Sequence, residues 1–234
     1  MGLTPVQIAT AITAIGALGT AAFGLVDASK AFWGGVSRSG FGFISRLLAV
    51  VAPNDDGVPH GSAITRAAIL DTLLASWLNG VSASDAKGMA KTLIKLRLNA
   101  KTAPDLAKAT GVDAAILTCV AASLDSGVAL TPEQLNVYGR FDLLLSTLID
   151  RAYQRADQRY RNNSKALACV VAVMLAEITA WSLYVSFQEY SNCSTFFFAL
   201  IAGLLATPLA PMAKDLASSI NTAAKAVQAL KGKP

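Results

Sequence analysis

The sequence predicts an all-α integral membrane protein with three transmembrane helices, an N-terminus outside, and a helical cytoplasmic domain. Three observations carry that prediction. Hydrophobic residues make up 53% of the 234 positions and charged residues only 15%, against about 25% charged in an ordinary soluble domain. Mean hydropathy is +0.47, so other polar residues do not offset the missing charge. Three long apolar runs hold that excess, and the Lys and Arg residues cluster at one end of each.

The first run is residues 6–26, VQIATAITAIGALGTAAFGLV, close to the roughly 20 residues that cross a hydrocarbon core about 30 Å thick. It is too long for the apolar part of a cleaved signal peptide, and no Lys or Arg precedes it. The second is residues 166–187, ALACVVAVMLAEITAWSLYVSF, and the third is residues 195–213. Only QEYSNCS separates these two, so they are expected to form an antiparallel hairpin. Trp181, Tyr184 and Tyr190 lie near the hairpin end, where aromatic side chains favour the membrane interface.

Charge sets the orientation. Lys30, Arg38 and Arg46 follow the first run; Arg151, Arg155, Arg159, Arg161 and Lys165 precede the second; Lys214, Lys225, Lys231 and Lys233 follow the third. The segment before the first run and the hairpin loop carry neither Lys nor Arg. Because positive residues stay cytoplasmic, residues 27–165 and the C-terminus are expected inside. The organisation read this way is residues 1–30 as the first span, 31–130 as a cytoplasmic helical domain, 131–194 as a long helix entering the second span, and 195–234 as the third span with an amphipathic tail. The expected membrane is the bacterial inner membrane.

The region between the first and second spans reads as helical. A helix is expected over 64–78 with Ile64, Ala67, Ala68, Leu70, Leu74 and Trp77 inward, stopped by Asn79-Gly80. A second is expected over 84–98, capped by Ser84, with Lys87, Lys91 and Lys95 as a solvated stripe. Short helices follow at 104–109 and 113–123. Thr131-Pro-Glu-Gln is a capping-box start, and the pattern from Pro132 to Tyr160 has no breaker before the second span. One helix of about 55 residues, about 80 Å long, is therefore expected. PNDDGVPHG, residues 53–61, is a loop and the clearest internal boundary. WGGVSRSGFGF, residues 33–43, reads as a flexible interfacial turn.

Several residues stand out as candidates. Glu177 lies mid-span, where a carboxylate costs about 3 kcal/mol or more unless protonated, paired or hydrated. It marks either an ion pathway with Thr179 and Thr207 or a structural acid bonded to those hydroxyls. Pro208 and Pro211 are expected to kink the third span, with the Thr207 hydroxyl answering the carbonyl that Pro208 frees. Gly16, Thr20 and Gly24, small residues four apart, point to a helix–helix interface. That interface is either between subunits or with the chain's own hairpin. Trp33, Trp181 and Lys214 are expected interfacial anchors.

Other chemistry is poorly supported. The three cysteines, Cys119, Cys169 and Cys193, are scattered without metal-ligand spacing, and His60 is the only histidine. No P-loop, GxGxxG or GxSxG motif occurs, so no cofactor, metal or catalysis is expected. TAPDLAKATGVDAAILTCVA has helix-turn-helix spacing, yet its second helix offers no Lys, Arg, Asn or Gln to bases; a plain helical hairpin is expected and nucleic acid is not an expected partner.

IDRAYQRADQRYRNNSKALACVVAVMLAEITA and the segment from FFFALIAGLLATPLAPMAKDLASSI to KGKP resemble a group of uncharacterised bacterial inner-membrane proteins. The resemblance covers about a third of the chain and implies an N-terminal span, a helical cytoplasmic part and a closing hairpin, with no activity attached. The three-span plan is also similar to that of proton-driven stator proteins, without their motifs. The expected role is a non-enzymatic, self-associating membrane scaffold or anchor whose partners are lipid, further copies of itself and a cytoplasmic assembly. The alternatives are an oligomeric ion-conducting or stator-like channel and a membrane-tethered nucleic-acid binder.

Overall fold

The computed structural model describes residues 5–29, 34–186 and 194–211, and every regular element among them is helical. In order they are α1 (Pro5–Ala28), a 3-10 turn (Gly35–Ser37), α2 (Arg38–Val51), α3 (Arg66–Leu78), α4 (Ala83–Lys95), α5 (Ala103–Thr110), α6 (Ala114–Ser126), α7 (Pro132–Ser186) and α8 (Ser194–Pro211). The chain divides into two compact units, one from Met1–Val36 and Arg161–Pro234, the other Ser37–Tyr160. The loop at 53–61 therefore lies inside the second unit.

That second unit is a helical domain with a core of large aliphatic and aromatic side chains. Ile44, Leu48, Ile69, Leu73, Ile94, Leu106, Leu117, Phe141, Leu145 and Ile149 are all buried in one cluster, and α5 packs on α6, α3 on α4, and α2 on α3 and α5. The expected start of α7 is present. The Gln134 amide donates to Thr131 Oγ1 (3.3 Å) and the Thr131 amide donates back to Gln134 Oε1 (2.9 Å), with Pro132 first in the helix. From there α7 continues for 55 residues without interruption, as the absence of a breaker predicts.

Four local expectations change. The glycine-rich stretch is not a flexible turn at its distal end: α2 starts at Arg38, and Phe41 and Phe43 pack on the core of this unit. Two of its glycines have steric reasons, since Gly34 has φ 80 and a Cβ on Gly40 would stand 2.4 Å from the Ala156 carbonyl oxygen. On α3 the buried line is Ile69, Leu73 and Ser76, with Leu70 and Trp77 at its edge and Ala67 exposed. The inward face is thus turned by one residue, and Trp77 packs at its edge against Tyr153 (6.3 Å between ring centroids). Its indole N–H reaches the Ser37 carbonyl instead (2.8 Å). The cap of α4 is Ser82, which accepts from the Asp85 amide, and not Ser84.

The fourth change concerns the lysines of α4, which are not a solvated stripe. Lys87 pairs with Asp150 (2.8 Å), while Lys91 (2.6 Å) and Lys95 (3.0 Å) share Asp142, so the three tie α4 to α7. The hydrogen bond from Lys91, with help from Lys95, holds the Asp142 carboxyl below the ordinary carboxylate range against an opposing contribution from burial. The loop after α2 is fastened the same way. Arg97 is only 1% exposed; its Nη1 donates to Asp55 Oδ1 (2.7 Å) and to the Ile64 carbonyl (2.8 Å), and its Nη2 to the Asn54 carbonyl. The Arg97 hydrogen bond, aided by the Arg66 amide, lowers the Asp55 pKa.

The first unit contains α1, α7 from Arg161 onward, and α8. Each supplies a stretch long and apolar enough to cross a membrane: Gln7–Ala28, part of Pro132–Ser186, and Ser194–Pro211. The first expected span, 6–26, falls within two residues of these bounds and the third, expected from 195, starts within one, while the second, expected from 166, lies inside the longer α7. α8 carries Pro208 in its interior and Pro211 as its last described residue.

Candidate functional site

The distinctive site in the first unit is the seam where its three helices meet. Apart from Val26, every buried residue described in this unit is alanine or glycine. α1 contributes Gly16, Gly19 and Ala22; α7 contributes Ala168, Ala172, Ala176 and Ala180 at strict four-residue spacing; α8 contributes Gly203, Ala206 and Ala210. Two of these approaches leave no room for a methyl group. A Cβ on Gly19 would lie 2.1 Å from the Ala206 carbonyl oxygen, and one on Gly203 would lie 2.5 Å from Val173 Cα. Backbones this close gain dispersion contacts along their whole length, which is how helices associate when no water is available to drive burial.

The outside of the same unit carries the large side chains. Val170, Met174, Ile178, Trp181 and Val185 on α7, and Phe197, Phe198, Leu204 and Leu205 on α8, are all exposed. Trp181 packs on Tyr184 (5.8 Å between ring centroids), two of the three aromatics expected near the hairpin end, and Tyr184 also packs on Phe196 of α8 (6.4 Å).

The structure distributes the predicted site residues unevenly. Of the small-residue stripe, Gly16 is buried, Thr20 is exposed with its hydroxyl donated to the Gly16 carbonyl (3.0 Å), and Gly24 is exposed with nothing within 4 Å of where a Cβ would stand. The chain's own packing uses Gly19 on the neighbouring face. Glu177 is half-buried and makes no hydrogen bond or ion pair among the described residues. Thr179 is exposed and donates within its helix to the Leu175 carbonyl (2.8 Å). The Thr207 hydroxyl is buried without a hydrogen-bond partner. No hydrogen bond therefore joins Glu177 to either threonine among the described residues. Trp33 and Lys214 lie outside the described residues, as do the tail from 212 onward and Tyr190.

Gly19, Gly203 and the alanine ladder of α7 were not singled out from sequence. A signal existed for the ladder, since Ala168, Ala172, Ala176 and Ala180 recur every fourth residue inside an otherwise bulky run. The helix-turn-helix stretch is a pair of packed helices, α5 and α6, joined at Gly111 (φ 75) and Asp113, which accepts from the Ile116 amide (2.9 Å). Leu117, Val120 and Ala121 face the core, and the outer side shows Ala114, Ala115, Cys119 and Ala122.

These features define the class: an all-α protein with a large-residue helical domain and three apolar helices fit by length and composition to cross a membrane. No family model matches the chain, and neither a curated protein nor a solved structure is significantly similar to it.

Proposed function

We propose that this protein is a non-enzymatic inner-membrane anchor that self-associates through α1 and presents the Ser37–Tyr160 domain to a cytoplasmic assembly. In this reading α1, the end of α7 and α8 cross the bilayer, with the N-terminus outside. The observation that carries it is the inverted size order of the first unit, with glycine and alanine inside and Met174, Ile178, Phe198 and Leu204 outside. Water would penalise that arrangement, whereas lipid solvates the large side chains. Self-association is supported by the outward face of α1. Thr10, Ala14, Ala17, Ala21, Gly24 and Ala28 are exposed and alternate at four- and three-residue spacing, the repeat of two helices wound together. The outward faces of α7 and α8 are bulky by contrast and suit lipid.

The test is the mass of the intact protein in lipid nanodiscs, wild type against Gly24→Leu and Ala17→Leu. The wild type is expected as a closed oligomer and both variants as single chains. A wild type that stays a single chain at every concentration would refute self-association through α1.

Glu177 supports a second reading, a proton-linked pathway, because it is half-buried without a partner among the described residues and an intramembrane acid is expensive. Reconstituted vesicles should then acidify in response to an imposed potential, and Glu177→Gln should abolish that flux. A flux that Glu177→Gln leaves intact, or no flux in the wild type, removes this reading.

A further inference from the structure

Glu177 and Asp27 are the only charged residues in the three apolar stretches, 7–28, 166–186 and 194–211, and Asp27 stands at an end. Those stretches contain no Lys, Arg or His. Glu177 is half-buried and has neither a hydrogen bond nor an ion pair among the described residues. Lys165, the nearest cation on α7, is exposed and stands about 18 Å before it along the helix axis. Local packing sets the acid in a groove. α7 and α8 run antiparallel, touching where a Cβ on Gly203 would meet Val173 Cα (2.5 Å) and again where Tyr184 packs on Phe196. Glu177 follows Val173, and Thr207 follows Gly203, by four residues. Four residues make one full turn and about 40° more, and on antiparallel helices that excess swings both side chains to the same side. Ala172 and Ala206 lie on the other side, packed with Ala22 of α1. The side turned away from α1 is therefore a groove between α7 and α8. Exposed Val170 and Met174 run along one rim and exposed Leu200 and Leu204 along the other. Thr207 is displaced from Glu177 by about 12 Å of axis, so its hydroxyl is out of reach.

We propose that this groove seats a membrane-spanning helix of another protein whose Lys or Arg pairs with Glu177, a role that rests on the anchor reading given above. Charge complementarity selects the occupant. An intramembrane carboxylate needs a partner, and acyl chains offer none. A second copy of this chain brings the same three stretches, and so no cation at that depth. A helix with one basic residue near its middle has the matching need, because its own charge is costly in lipid and the pair relieves both. The apolar rims of the groove then pack against the rest of that helix by dispersion.

The experiment reconstitutes the full chain, with its cysteines replaced by serine, in phosphatidylcholine vesicles. The probe is a synthetic Leu/Ala transmembrane peptide with a single central Lys, and its control carries Leu there. Association is read by fluorescence energy transfer between labelled peptide and labelled protein. The chain with Glu177 intact is expected to bind the Lys peptide about tenfold more tightly than the Leu peptide, and Glu177→Gln should abolish that difference. A Lys peptide with a cysteine one turn from its Lys should form a disulfide with Leu200→Cys and not with Ala17→Cys on the outward face of α1. Equal affinity for the two peptides overturns the proposal, as does a preference that Glu177→Gln retains. A disulfide at Ala17→Cys in place of Leu200→Cys overturns it too. Disulfide-linked dimers of Leu200→Cys in the absence of peptide would overturn it by giving the groove to a second copy. A chain that fails to insert into the vesicles would refute the anchor reading itself, and the proposal with it.

Discussion

The two units of this protein solve the packing problem in opposite ways. Phe141, Leu145 and Ile149 of α7 are buried in the helical domain, where removing large apolar surface from water stabilises the fold. About thirty residues later along the same helix the buried positions are Ala172, Ala176 and Ala180, and Met174 and Ile178 are outside, 51% and 64% exposed. One continuous helix thus changes its rule for which residues go inside. The difference is what the proposed change of solvent along the helix would produce: water drives large side chains inward, whereas lipid would leave close backbone approach to decide.

The sharpest way to break this comparison is to make the same kind of deletion in both units. Phe141→Ala should destabilise the helical domain by about 4 kcal/mol, read as faster amide exchange across α6. Met174→Ala should leave the first unit within about 0.5 kcal/mol of the wild type, measured by unfolding in mixed detergent micelles. A comparable loss from both would mean that Met174 is not on a solvated surface.

Glycines sharpen it from the other side. Gly19→Ala drives a methyl group into the Ala206 carbonyl, and a backbone contact cannot yield, so unfolding in micelles should show a loss of about 3 kcal/mol. Gly139→Ala, on an exposed helical position of the other unit with nothing within 4 Å, should stabilise by up to about 1 kcal/mol. The helical domain should also respond to acid. The folded-state pKa values of Asp142 and Asp55 are depressed, so their stabilisation is complete above about pH 5 and is lost as pH falls through the folded values. Partial exposure limits the Asp142 contribution to about 1 kcal/mol. In Asp142→Asn the acid-induced loss, followed by near-ultraviolet circular dichroism, should be correspondingly smaller.

What the sequence made legible follows the range of the interaction. The three apolar runs, the capping box at Thr131 and the unbroken helix from Pro132 are local signals, and all appear in the structure. Lys87, Lys91 and Lys95 looked solvated because their partners, Asp150 and Asp142, lie 47 to 63 residues away in sequence, and spacing on one helix says nothing of the next. Gly40 looked like a source of flexibility because the Ala156 backbone that requires it is likewise distant. In the first unit, small residues occupy two faces of α1. Periodicity marked Gly16, Thr20 and Gly24, while the choice of Gly19 for the internal contact depends on where α8 arrives.

The account stands on lipid as the solvent of the outward faces of α7 and α8, and accessibility of spin labels tests that most directly. Labels would be placed singly at Met174→Cys, Leu204→Cys and Leu124→Cys in a vesicle-reconstituted protein whose own cysteines are replaced by serine. The first two are expected to collide with dissolved oxygen and to be shielded from a water-soluble nickel chelate, and the third to show the reverse. A nickel chelate that reaches Met174→Cys and Leu204→Cys as readily as Leu124→Cys would contradict the account.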